Sequence, residues 1–144
     1  MEILEHLAAT VASAEPLDRA AATAARVTEP LVRPARVRRA LGGRWLGHPL
    51  HPLLVALPIG AWISASTLDV VHRRAPDEAR WLVGFGALCA LPTAAAGAVD
   101  WRTNATAPDQ RRVGLVHAVT NSMALSIYAA SWAARRRRHQ VAGV

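Results

Sequence analysis

The sequence predicts an all-α, polytopic membrane protein in which three transmembrane helices form a small bundle, preceded by N-terminal amphipathic or peripheral helices. Three windows carry that prediction: Pro49 to Leu68, Trp81 to Val99 and Val113 to Ala134, none of which contains Asp, Glu, Lys or Arg. Each is close to the roughly 20 apolar residues that a helix needs to cross hydrocarbon. Each is also apolar nearly all round, whereas the helices of a soluble bundle this small would keep a polar face. The mean hydropathy of +0.16 hides the pattern because long polar ends dilute it. The expected division is a peripheral, basic segment over 1–46, a transmembrane domain over 47–135 and a basic tail over 136–144.

The N-terminal segment reads as short helices lying at a surface. Met1 to Ala14 sets Leu4, Leu7 and Val11 at helical spacing on one side and Glu2, Glu5 and His6 elsewhere, as an amphipathic interfacial helix does. Pro16 stands where a second helix would begin, and the alanine-rich stretch behind it carries that helix to about Val27. After Pro30 and Pro34 comes a basic piece with Arg33, Arg36, Arg38 and Arg39, closed by Gly42-Gly43. The acidic start and the late first apolar run do not match a secretory signal.

The first span opens on Gly47-His48-Pro49-Leu50-His51-Pro52. A residue before proline is pushed toward extended geometry, so both histidines are expected to precede the helix, with Pro52 at its first position. A polyproline turn of three residues would aim the two rings the same way. Deeper in the span, Pro58 lacks the N–H that would bond four residues back, and the freed carbonyl needs a neighbouring helix or a hydroxyl. Ser64, Ser66 and Thr67 are the hydroxyls nearby in sequence.

The middle window, Leu82 to Gly97, is dominated by Gly and Ala and holds Pro92. Small residues let helix backbones approach closely, so this span is expected at the centre, with Thr93 and Gly97 as one small-xxx-small pair. In the last window His117 lies about 6 Å deeper than Val113 at 1.5 Å per helical residue. Asn121 falls one turn further on the same side, beside Thr120. Trp45, Trp81, Trp101 and Trp132 sit at span ends, as interfacial anchors do, while Trp62 alone is deep.

The net charge of +7 comes entirely from arginine, all 17 basic residues with no lysine, a composition typical of a GC-rich bacterial genome. These arginines flank the spans as membrane topology requires, and no basic face interleaved with aromatics exists outside them, which excludes nucleic acid as a partner. The alternative use of the Arg33 to Arg44 segment is attraction of anionic headgroups, worth about 1 kcal/mol per residue near the surface. Eight arginines fall on one side of the membrane and seven on the other by our count of span flanks. That near tie leaves orientation open, with a weak lean to a cytoplasmic N-terminus in the inner (plasma) membrane. Whichever side is chosen, three alternating spans bring His48, His51, Asp100 and His117 to one leaflet.

Together Gly47 to Pro52, Leu57-Pro58-Ile59-Gly60, Asp69, Gly97 with Asp100-Trp101, and Gly114 to His117 with Asn121 resemble the bacterial membrane family known as domain of unknown function 2231. The likeness covers about Gly47 to Ala134, and the double His-Pro is its most specific element. It implies a small polytopic membrane protein without an assigned reaction. It also implies, in most members, a fourth membrane helix with a glycine-rich segment and a closing histidine. This chain departs from that pattern, since Arg135 to Arg138 follow the third span, which makes a second copy attractive for completing the bundle.

Two functional readings stay open. In the first, the histidines bind a cofactor: His51 and His117 as axial ligands of a b-type haem, His48 as propionate partner or alternative ligand, and Arg44, Arg102 or Arg111 neutralising propionates. The same chemistry with Asp100 would give a transition-metal site of His48, His51, His117 and one carboxylate. In the second, the chain is a non-catalytic membrane subunit or scaffold with structural histidines and no cofactor. The expected partners are the lipid bilayer and a second copy or a membrane redox protein. A proton pathway through Asp69, His72, Asp100 and His117 is disfavoured because the middle span offers nothing ionisable between its ends. Ser64, Ser66 and Ser122 lack the glycine-flanked elbow of a hydrolase. Cys89, alone and in mid-span, reads as a packing residue, and Asp69 has Arg73 four residues on as a partner.

Overall fold

A computed structural model describes residues 2–71 and 76–142, with the side chains of 76 and 138–142 excepted. Within them the chain forms six α-helices and no strand: α1 Glu2–Ser13, α2 Leu17–Val32, α3 Ala35–Leu41, α4 Leu50–Val71, α5 Pro76–Asn104 and α6 Pro108–Ala142. Three of them, α4, α5 and α6, are long and apolar enough to cross a membrane. Each overruns its charge-free window, because a helix continues past the hydrocarbon boundary as long as its backbone bonds are made within it. The spans differ in burial as their composition predicts: 33% of the apolar window of α5 is buried, against 17% for α4 and 6% for α6.

Two compact units make up the fold, Met1–His51 with Ala94–Asn121, and Pro52–Thr93 with Ser122–Val144. The second unit is held by large rings set into a helix of small residues. Trp62 on α4 is buried, donates its indole N–H to Val83 O at 3.3 Å and stacks on Tyr128 of α6 with centroids 4.2 Å apart and planes at 5°. A Cβ on Gly86 would collide with the Trp62 indole, and one on Gly84 with that of Trp132. The small residues of α5 thus serve as seats for aromatic rings, which is how close packing replaces the hydrophobic drive that lipid does not provide.

The carbonyl freed by Pro58 has its partner from another span. Leu54 O, four residues before the proline, accepts at 3.3 Å from Thr93 Oγ1 on α5, whose single proton is shared with the nearer Cys89 O at 2.8 Å. Of the hydroxyls near in sequence, Thr67 instead bonds back to Ile63 O in its own helix. Asp69 binds Arg135 of α6 through two bonds of 2.8 and 2.6 Å. The expected partner Arg73 lies outside the described residues, as does His72.

In the first unit the N-terminal helices are joined to the ends of α5 and α6. Arg112 binds both oxygens of Asp18, at 2.7 and 2.8 Å, and donates to Ala12 O at 2.8 Å. Arg102 binds Glu29 at 2.5 Å. Helix α2 runs past Val27 to Val32 with Pro30 inside its last turns. A proline so near a helix end removes few bonds, and Arg38 donates from α3 to the terminal carbonyls of Val32 and Arg33, as cations at helix C-termini do. Helix α1 leaves Ile3, Leu4 and Leu7 exposed.

Candidate functional site

The histidine region is built by a reversal between α3 and α4. Gly43 and Gly47 both take left-handed backbone, φ 69° and 70°, on either side of a single 3₁₀ turn, Arg44–Leu46. At Gly43 a Cβ would also strike the backbone of His48 and Leu50, so this position needs glycine for space as well as for φ. The helix then starts at Leu50. His51 is therefore inside its first turn, contrary to the expectation that both histidines precede it. Pro52 permits this because the first-turn N–H groups have no intrahelical partner to lose.

That one position separates the two rings. His51, half-buried, lays its Nδ1–Cε1 edge on Gly97 of α5, where a Cβ would come within 2.9 Å of both atoms. Its centroid is 6.1 Å from that of His117 on α6, with the planes at 83°. His117 is exposed, and Asn121, one turn on, donates to His117 O at 2.8 Å and lies 3.3 Å from Nε2. His48 goes elsewhere: its Nδ1 is 2.9 Å from Pro49 O. It lines a cleft of about 580 Å³ with Arg38, Arg39, Arg44, Asp100 and Thr103. Asp100, half-buried, lies within electrostatic reach of His51.

The expected constellation is thus brought together in part. His51 and His117 meet, Asp100 is close to His51, and His48 shares the arginine-lined cleft. No group of three or more His, Cys, Asp or Glu stands close enough to hold a metal ion among the described residues. Of the three arginines proposed for propionates, Arg44 is at this cleft, whereas Arg102 and Arg111 together line another one beside Trp101. Arg102 is paired with Glu29, and Arg111 donates its Nε–H to Ala105 O at 3.1 Å.

Sequence reading took Trp101 for an interfacial anchor and did not single out Asp18. The Trp101 indole fills the space that Gly114 leaves, and its Nε1 is buried with no hydrogen-bond partner among the described residues. Gly97 and Gly114, both within apolar windows, were the available signal, since a glycine in a span marks a close approach. Asp18 is held below the usual carboxylate range by its hydrogen bonds from Arg112, partly offset by desolvation. Nothing local in the sequence marks that pair.

A family model described as predicted membrane protein, DUF2231, matches residues 47–144. The match begins at the glycine that opens the double His-Pro and takes in all three long apolar helices. No curated protein and no solved structure matches the chain. With three apolar helices and a match over more than half of its length, the chain belongs to the DUF2231 family of membrane proteins.

Proposed function

We propose that the protein is a multi-pass module of the inner (plasma) membrane that holds a redox cofactor between His51 and His117, with b-type haem preferred to a bare transition metal. The observation that carries this reading is the separation of the two rings, 6.1 Å between centroids. At metal–nitrogen distances of about 2 Å, two imidazoles this far apart would both come within reach of one metal ion. A haem supplies four nitrogens and asks the protein for two axial ligands, whereas zinc asks for three or four protein ligands. Haem would therefore ask for no protein ligand beyond His51 and His117, and zinc for at least one more. Asp100, near His51, would supply the carboxylate that metal-bound imidazoles commonly have beside them.

The second reading is a non-catalytic subunit or scaffold, and the seat of His51 on Gly97 favours it, since a ring that fills a slot between helices needs no ligand to explain it. One experiment separates them. The full chain, expressed with haem supplementation and purified in detergent, is expected to show a Soret band that vanishes in His117→Ala and weakens in His51→Ala. No visible absorbance and no stoichiometric metal, with His117→Ala folding as the parent does, would leave the scaffold standing.

A further inference from the structure

We infer that the cleft between the α3–α4 reversal and the end of α5 is a binding site for a phosphoryl group, supplied by the headgroup of an anionic phospholipid. Three independent features meet there. The first is charge: Arg39 and Arg44 are exposed and form no ion pair with a described residue. Arg38 and His48 add further donors, and Asp100 is the one carboxylate on the wall. Guanidinium groups match phosphate oxygens with paired N–H donors, so unpaired arginines in a concavity form a phosphate-recognising surface. The second is size, because about 580 Å³ lies within the range of small-ligand sites and exceeds what a lone ion needs.

The third feature is depth. The cleft is formed where α4 begins at Leu50 and α5 ends at Asn104, next to the ends of their charge-free windows, the level that headgroups occupy. The turn that carries Arg44 also holds Trp45 and Leu46, 65% and 45% exposed. Trp45 fixes its indole by donating to Ala40 O at 3.0 Å. An exposed tryptophan and leucine beside a basic cleft suit a ligand with acyl chains below its phosphate. Neither His51 nor His117 lines the cleft, although Asp100 is common to both places, and the inference does not need a cofactor at the pair.

The full chain in neutral detergent, stripped of lipid, would be titrated with phosphatidylglycerol, with phosphatidylcholine and, separately, with inorganic phosphate, and bound species read by native mass spectrometry. Phosphatidylglycerol is expected to be retained in preference to phosphatidylcholine. Arg39→Gln with Arg44→Gln is expected to weaken that binding on the order of tenfold. Arg33→Gln with Arg36→Gln, which removes equal charge from the same segment outside the cleft, is expected to leave it unchanged. Inorganic phosphate binding with the same arginine dependence, without phosphatidylglycerol binding, would uphold the phosphoryl site and move its source to solution. Equal losses in both double variants, or no binding of either probe, would overturn it. The single variants Arg39→Gln and Arg44→Gln, each at an exposed side chain, serve the same comparison if the double variant does not fold.

Discussion

At the scale of single residues, glycine positions decide where the imidazoles go. The His51 ring lies so close to Gly97 that a methyl group there must displace it. Gly97→Ala is expected to cost about 1–3 kcal/mol of stability, as overpacking does. It should also break the contact with His117, seen as a lower melting temperature in detergent and altered His51 imidazole resonances. Gly43 and Gly47 offer an internal comparison, because both have positive φ and only Gly43 lacks space for a Cβ. Gly47→Ala should lose about 1–2 kcal/mol, the backbone term alone. Gly43→Ala should lose clearly more, and thermal unfolding of the two variants side by side measures the difference.

At the scale of the helices, the second unit shows how a proline inside a span is tolerated. Pro58 removes one backbone bond, and Thr93 reaches across from α5 to the carbonyl left behind. Thr93→Val keeps the shape and removes the hydroxyl, so Leu54 O loses that bond. The expected loss is about 1 kcal/mol, in the range measured for hydrogen bonds between membrane helices. Thr93→Ser should restore most of it, and a denaturation series of the three proteins in mixed micelles gives the comparison. The α4–α6 contacts of this unit share one register: Trp62 meets Tyr128, and Asp69 meets Arg135 at a separation of 66 residues. A constant offset is the mark of two helices running parallel.

At the scale of the whole molecule, the polar N-terminal helices are fastened to the apolar ones through exposed ion pairs, so their attachment responds to pH. Arg112 lowers the pKa of Asp18 on folding. The stabilisation from that carboxylate is present above its ordinary value of 3.8 and is lost as pH falls through the lower, folded value. A spin label at exposed Thr23 should therefore gain mobility at the acid end in the parent protein. In Asp18→Asn it should already be more mobile at neutral pH, with a weaker response to acid.

Much of this architecture was written in local stretches of sequence. Charge-free windows marked the spans, glycine and alanine marked the most buried one, and the double His-Pro carried the family. Those signals are local because lipid exclusion and helix packing act on each segment in turn. Which partner an ionisable group takes is another matter. Asp69 binds Arg135, and Asp18 binds Arg112, across separations no periodicity encodes. His48 and His51 part company because the helix begins one residue before His51, and a single step of backbone conformation turns a side chain toward a different neighbour. Sequence determined the segments and their apolar character; only the packed fold decided which rings and charges meet, because those meetings depend on distances between chain segments that are far apart along the polypeptide.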